Sequence, residues 1–231
     1  MYFCSKYNRN MKREVKLTGD GSKTIYIPDL DENYHSHHGA FNEAKHIFIE
    51  QGIRSFSPNK SLRIFEMGFG TGLNAFLAFL ESKLLKYTID YVGIEAFPVE
   101  DSLVEEMDYY SFLNWENPKD FKQLHSLSWD ENHKISSDFS FKKIHQKIEN
   151  YTPEIEQFDV VFFDAFGPKA QAEMWHPLVL EKMYTMLKPG GFLVTYCAQG
   201  QVKRDLKAIG FDVVSLPGPP GKREMTKAIK I

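Results

Sequence analysis

The stretch Leu62-Arg63-Ile64-Phe65-Glu66-Met67-Gly68-Phe69-Gly70-Thr71-Gly72-Leu73-Asn74 constrains this chain more than any other. A short run of Leu, Ile, Phe and Met suits a buried parallel strand, and it breaks into three glycines at alternate positions. An apolar, helix-like segment from Leu73 to Leu85 follows. The pattern predicts strand, tight loop, helix. Glycine is needed in such a loop because the backbone turns sharply and because a Cβ would keep a ligand from lying against it. The loop also delivers its amides to a helix N-terminus.

Glu66 precedes the glycines, and a second run, Ile89-Asp90-Tyr91-Val92-Gly93-Ile94-Glu95, ends in another carboxylate after the intervening helix. An acidic residue at the end of the second strand is where a nucleoside-binding α/β fold holds ribose hydroxyls, because a carboxylate accepts from both. The dinucleotide fingerprint requires G-x-G-x-x-G, whereas the spacing here is G-x-G-x-G with Leu73 where the last glycine would stand. That spacing favours a nucleoside ligand without a pyrophosphate and disfavours an NAD-dependent oxidoreductase. An ordinary glycine-rich turn in an α/β domain is the alternative.

A chain of 231 residues can bury one substantial core, so one α/β domain with an N-terminal extension is expected. Residues 1–33 are polar and turn-rich, with alternation at Thr24-Ile25-Tyr26-Ile27 that reads as one strand of a small hairpin after Asp20-Gly21. Residues 34–231 then form the functional domain. No apolar run is long enough to span a bilayer, and Met1 to Val15 lacks the apolar core of a signal peptide, so a cytoplasmic protein is expected. Cys4 and Cys197 lie far apart, which suggests neither a disulfide framework nor a cysteine zinc site. The net charge of −3 rules out a polycation, so any nucleic-acid contact needs a local basic face. Lys203, Arg204 and Lys207, or Lys222, Arg223, Lys227 and Lys230, are the clusters able to form one, with Lys12, Arg13 and Lys16 as additions.

Tyr34-His35-Ser36-His37-His38-Gly39 leads into a helix through Ala44, Ile47 and Phe48. The three histidines lack the His-and-carboxylate spacing of helical zinc motifs, so a loop covering the ligand pocket is the preferred reading and no metal is expected. Phe97 to Leu113 reads as helix once Pro98 has set its first turn. Trp115 to Asp138 reads loosely as helix, loop and a hairpin near Phe139, and Ile144 to Tyr151 as a short helix. Phe158-Asp159-Val160-Val161-Phe162-Phe163-Asp164 is a strongly apolar strand ending in a third carboxylate. Leu178 to Leu187 is a helix stopped by Lys188-Pro189-Gly190-Gly191, Phe192 to Tyr196 a strand, Val202 to Ile209 a helix, and Phe211 to Leu216 and Met225 to Ile231 two more strands. Strands alternating with helices mean a mostly parallel sheet covered on both faces.

Glu66-Met67-Gly68-Phe69-Gly70-Thr71-Gly72-Leu73-Asn74, Asp164-Ala165-Phe166-Gly167-Pro168, Met174-Trp175, Lys188-Pro189-Gly190-Gly191 and Gly221-Lys222-Arg223-Glu224-Met225 together resemble the methyltransferase half of the tRNA wobble-uridine enzyme MnmC. The match runs in order from about Tyr34 to the C-terminus. Without the flavin oxidoreductase half, the chain looks like the stand-alone form of that family, MnmD. The resemblance implies the class I Rossmann-like methyltransferase sheet of seven strands, mostly parallel with an antiparallel last strand. It implies methyl transfer from S-adenosylmethionine to the amine of 5-aminomethyluridine, usually 2-thiolated, at the tRNA wobble position, with a separate enzyme supplying the aminomethyl group. The family's bifunctional members carry a Gly-Asp pair before the fourth strand, where a carboxylate meets the adenine. This chain has no such pair near Lys143 to Asn150, which leaves the adenine reader unassigned.

On this reading Gly68, Gly70 and Gly72 line the methionine and ribose portions of the cofactor, with Asn74 beside them. Glu95 takes the ribose hydroxyls and Glu66 lies near the methionine amine. Asp164 accepts from the substrate amine, with a helix N-cap as its structural alternative. Phe166 bounds the methyl path, Trp175 or Phe166 stacks on the base, and Lys222 and Arg223, with Lys203, Arg204 and Lys207, grip tRNA phosphates, the alternative being ordinary surface cations and a core Trp175. The rivals are an aminopropyltransferase, another small-amine N-methyltransferase and a non-catalytic tRNA-binding module.

Overall fold

The apolar run before the glycines forms β4 (Ser61–Met67), and it is central because both of its faces are buried. Its parallel neighbours are β5 (Thr88–Glu95) and β8 (Phe158–Phe163). Near-continuous apolar strands of this kind belong inside a sheet with helices on both faces. The computed structural model describes residues 11–231. Cys4, and with it the start of the expected N-terminal extension, lies outside the described residues.

Before the main sheet, β1 (Glu14–Leu17), β2 (Lys23–Ile27) and β3 (Glu32–Asn33) form a small antiparallel sheet, as the Asp20-Gly21 turn predicted. Ile25 and Ile27 are fully buried, and Arg13 reaches the carbonyls of Phe97 and Pro98. The sheet is therefore fastened to the main body. A helix, α1 (Ala40–Ala44), continues as π-helix over Lys45–Glu50. After β4 come α2 (Leu73–Leu85), β5, α3 (Asp101–Met107), α4 (Tyr109–Phe112), α5 (Pro118–Ser126), β6 (Asn132–Lys134) and β7 (Phe139–His145). The chain ends with β8, α6 (Pro177–Met186), β9 (Leu187–Thr195), α7 (Gly200–Ile209), β10 (Phe211–Pro217) and β11 (Glu224–Lys230).

Among the described residues the main sheet has eight strands, in the order β10-β11-β9-β8-β4-β5-β7-β6. β11 runs antiparallel between β9 and β10, which matches the expected antiparallel last strand. Side chains alternate between two cores. Ile64, Tyr91 and Phe162 face the side of α1, α2 and α5, and Phe65, Val161 and Phe163 face α6 and α7.

Four expectations need correction. The eighth strand, β6, adds an antiparallel edge to the seven expected. Ile144 to Tyr151 is not a helix. β7 carries Phe139, Phe141 and Lys143 inward at alternate positions and runs on to His145, a period of two that outweighs the local helix propensity. Phe97 to Leu113 starts its helix only at Asp101 and breaks at Asp108, whose φ is 48°. Lys188-Pro189-Gly190-Gly191 lies inside β9, where a register shift against β8 and Gly190 at φ 78° absorb the bend.

Helix α2 carries the glycine loop, and one ion pair ties it to the preceding segment. Arg54 donates from Nε and Nη2 to the two oxygens of Glu81 at 2.8 and 2.7 Å, and Glu81 is 6% exposed. Arg54→Ala leaves that carboxylate buried and unpaired, at an expected cost of about 2 kcal/mol in urea denaturation. Arg54→Lys should recover only part, because the two-pronged geometry is lost. A midpoint equal to wild type in both variants would show that Glu81 is solvated.

Candidate active site

Parallel register builds the site. Met67 on β4 is level with Ile94 on β5 and Phe163 on β8, so the next residues, Gly68, Glu95 and Asp164, leave the sheet together at its carboxyl edge. Ligands of open α/β sheets bind outside that edge. A cleft of about 700 Å3, counting the solvent at its mouth, lies there. Gly68, Gly70, Glu95, Asp164 and Phe166 line it, with Tyr34, Phe97, Gln146, Ile148 and Met174.

Glu95 is held by two backbone amides. Gly70 donates to its Oε2 at 3.0 Å and Phe97 to its Oε1 at 2.9 Å. Each oxygen keeps a lone pair for a further donor. Gly70 has φ 50°, and a Cβ there would stand 3.2 Å from the Tyr34 ring. Tyr34 in turn meets Phe166 edge to face, with centroids 5.1 Å apart. The 34–43 segment thus contributes a wall of the cleft through its first residue.

Gly72 serves a different purpose. It does not line the cleft, and a Cβ on it would come within 2.6 Å of His125 Nε2. Burial holds His125 down at about 3, so the ring is neutral, and its Nε2 lies 3.0 Å from the Thr71 carbonyl. A carbonyl only accepts, so Nε2 carries the proton. The loop is clamped from behind by this contact.

Asp164 opens in part on the cleft, yet the density of protein around it dominates its chemistry. Burial and the nearby Glu43 raise its carboxyl to about 7, while a hydrogen bond from Asn74 and the charge of Lys222 pull the other way. It caps no helix, because the next element is a 3₁₀ turn at Ala172–Trp175. Asn74 Nδ2 donates to Asp164 Oδ2 at 2.8 Å and to Glu66 Oε1 at 2.9 Å. Glu66 and Asn74 are 1% and 2% exposed and sit behind the cleft wall.

Trp175 is not available for stacking on a ligand. It is 5% exposed, packs on Phe163 at 4.8 Å and donates from Nε1 to the Phe166 carbonyl at 2.7 Å. Its apolar ring is used to fix the Phe166 loop from below. Lys222 is also engaged. Its Nζ lies 2.5 Å from Glu43 Oε1 and 4.1 Å from the centroid of the Tyr196 ring. Arg223, 4.0 Å from Glu224 Oε1, is held less closely, with a side chain 95% exposed at the edge of a second, wider groove that Gly167, Tyr196 and Lys222 also line. Lys203 is drawn to Glu224 at 2.8 Å.

Several residues of the site carry no signal in the sequence. The Lys222 to Glu43 pair joins positions 179 residues apart, and no spacing rule reaches that far. Gln146 and Ile148 follow β7, and reading its alternation as a strand would have brought them to the same edge. Nothing in the sequence separates Tyr34 from its histidine neighbours.

Comparison with known proteins agrees with this geometry. A family model described as S-adenosyl-L-methionine-dependent methyltransferase matches residues 105–231. The tRNA 5-methylaminomethyl-2-thiouridine biosynthesis bifunctional protein MnmC of Cupriavidus necator is 30% identical over 217 residues, 88% of this chain and 32% of that protein. The protein of the same name from Leptospira interrogans is 28% identical over 225 residues, 90% of this chain and 34% of its own. The chain therefore spans about a third of the length of these relatives. The crystal structure of MnmC2 from Aquifex aeolicus superposes with a TM-score of 0.69 at 26% identity, covering 96% of this chain and 72% of that one. Spermidine synthase from Thermotoga maritima, at 14% identity and a TM-score of 0.51, shares the fold alone.

The cleft fits the cofactor of that family. A Cβ at Gly68 or Gly70 would meet the Asp164 carbonyl or the Tyr34 ring, and Glu95 offers two free acceptor positions beside them. With a matching family model over more than half its length, this chain belongs to the S-adenosyl-L-methionine-dependent methyltransferases and uses S-adenosylmethionine as cofactor.

Proposed function

We propose that residues 34–231 are the catalytic domain, with residues 1–33 as an extension, and that it methylates the amine of 5-aminomethyl-(2-thio)uridine at the wobble position of tRNA in the cytoplasm. The observation that carries this reading is a carboxyl raised to about 7 at the edge of the cofactor cleft, Asp164, with the Phe166 ring beside it. Similarity to the MnmC relatives over most of this chain supports the choice of acceptor. A separate enzyme supplies the aminomethyl group.

Bound S-adenosylmethionine supplies an electrophilic methyl on a sulfonium. The chain's own residues do the rest. Glu95, fixed by the Gly70 and Phe97 amides, accepts from the ribose hydroxyls. Gly68 and Gly70 let the cofactor approach the backbone. Gln146 and Ile148 stand at the end of β7, on the far side of β5 from β4 and β8, and take the adenine. Asp164 accepts hydrogen bonds from the substrate amine, aims its lone pair and holds the proton that is lost. Phe166 and Tyr34 exclude water from the methyl path. Displacement of this kind needs an aligned neutral nitrogen about 3 Å from the methyl.

Incubation with labelled S-adenosylmethionine and tRNA from cells lacking this step, followed by nucleoside analysis, tests the assignment. Label in 5-methylaminomethyl-(2-thio)uridine is the expected result. Label at any other nucleoside, or none, overturns it. The wide groove beside Phe166 takes the tRNA backbone, with Arg223 as its freest cation. Arg223→Glu should weaken tRNA binding and flatten its salt dependence by about one unit of log–log slope, with cofactor affinity unchanged. An unchanged slope would put the backbone elsewhere. Lys222→Glu should do more, since it also sets two carboxylates against each other at Glu43.

A further inference from the structure

Behind the cleft wall two carboxyl groups share one amide. Asn74 has a single NH2, and both of its hydrogens are committed, one to Glu66 and one to Asp164. On the other oxygens, Glu66 Oε2, Asn74 Oδ1 and the Tyr91 hydroxyl are buried without a hydrogen bond of normal geometry. Glu66 and Tyr91 lie close enough to act on each other. The groups that bear on Glu66 are Asn74 from α2, Tyr91 and Glu95 from β5 and Asp164 after β8, and none is a cation.

Two anions joined by a neutral amide are costly in the interior, and the cation Lys222 bears on Asp164 rather than on Glu66. The arrangement is relieved when one of them keeps its proton. Asp164 opens on the cleft, whereas Glu66 is 1% exposed, so the proton stays on Glu66. Burial, then the charges of Asp164 and Glu95, push Glu66 well above the usual carboxylate range, against the opposing hydrogen bonds of Asn74 and Tyr91. The unpartnered Oε2 is then accounted for. The Tyr91 hydroxyl beside it can donate or accept, so it turns to accept from Oε2 once that oxygen carries the proton.

We propose that Asn74 and Glu66 are positioning residues: Glu66 is a neutral carboxylic acid that orients the Asn74 amide, and Asn74 in turn aims and steadies the Asp164 carboxylate. This replaces the sequence-based expectation that Glu66 meets the cofactor's ammonium and Asn74 the cofactor. It rests on Asp164 being the acceptor of the substrate amine. Asp164 keeps its Oδ1 for that purpose while Oδ2 is held from behind.

The test is carboxyl 13C NMR on the whole chain, with and without S-adenosylmethionine, using Glu66→Gln and Asp164→Asn to assign the signals. Glu66 is expected to stay protonated across the neutral range in both states, with Asp164 titrating near 7 in the free protein. Asn74→Leu, which keeps the volume and removes the donors, should raise the Asp164 midpoint by about one unit. It should move the acid limb of the rate profile the same way, with cofactor affinity within about twofold of wild type. Glu66→Ala should repeat the shift, and Glu66→Gln, which also presents a carbonyl to Asn74, should reverse it. An ionised Glu66 in either state, or an Asp164 midpoint unmoved by Asn74→Leu, overturns the proposal. The titrations use no tRNA, so a failure of the proposed substrate leaves their result intact.

Discussion

Asp164→Asn is expected to bind S-adenosylmethionine about as well as wild type and to turn over about 10²- to 10⁴-fold more slowly. Asparagine matches the shape, and its carbonyl can still accept from Asn74, so the wall of the cleft survives. What is lost is the negative charge and the capacity to take a proton. A primary alkyl ammonium titrates near 10, as Lys does. An ordinary carboxylate would face a mismatch of about six units in receiving its proton, and Asp164, at about 7, faces about three. The difference is about 4 kcal/mol in favour of transfer. The same shift fixes a pH signature. Protonated Asp164 cannot accept, so kcat/KM falls as pH drops through its pKa, and the positive charge of bound cofactor draws that limb to or below about 7. Single-turnover rates against pH check both points. Asp164→Asn with wild-type turnover, or one that retains the acid limb, would remove Asp164 from the chemistry.

The candidate site was legible in the sequence where its placement depends on strand ends. Glu95 and Asp164 each close an apolar run, and parallel register converts two sequence positions into neighbours at one edge. Local signals also found β4, α2, α7 and the β10-β11 pair, since each combines a clear period with a Gly stop or start. The sequence was less informative where a residue's environment is made by a distant segment. Trp175 reads equally as a base-stacking aromatic or as core, and the second holds because Phe163 of β8 and Tyr196 after β9 pack on it. Glu66 reads as a ligand carboxylate from its place before the glycines, whereas the amide of Asn74, eight residues on, turns it inward. Lys222 reads as a cation open to phosphate until Glu43 is brought against it. The hairpin near Phe139 is legible and is present as β6 and β7, but Lys142 and Lys143 interrupt the apolar pattern and hide the continuation of β7 to His145. Lys143 is nonetheless 1% exposed, its ammonium bonded to the His125 carbonyl and lying 4.6 Å from the Trp129 ring.

Gly70→Val is expected to raise the Kd for S-adenosylmethionine by about 100-fold or more, equivalent to about 2.7 kcal/mol. Three effects act in one direction. At φ 50° a β-branched residue is strained by well over the 1–2 kcal/mol of an unbranched one. Its Cβ would stand 3.2 Å from Tyr34, and its two methyls would extend into the cleft or the ring. Relief of either clash moves the Gly70 amide, which is one of the two donors that hold Glu95. Glu95 would therefore be displaced along with the loop. Strain alone can be measured separately. Gly190 has φ 78° with nothing within 4 Å of its missing Cβ, and it lies in the β9 bend away from the cleft. Gly190→Ala should cost about 1 kcal/mol of stability and leave cofactor affinity alone. Isothermal titration and urea denaturation of both variants separate the two contributions. If Gly70→Val loses stability as Gly190→Ala does but binds S-adenosylmethionine within twofold of wild type, the glycine loop is only a turn and the cofactor lies elsewhere.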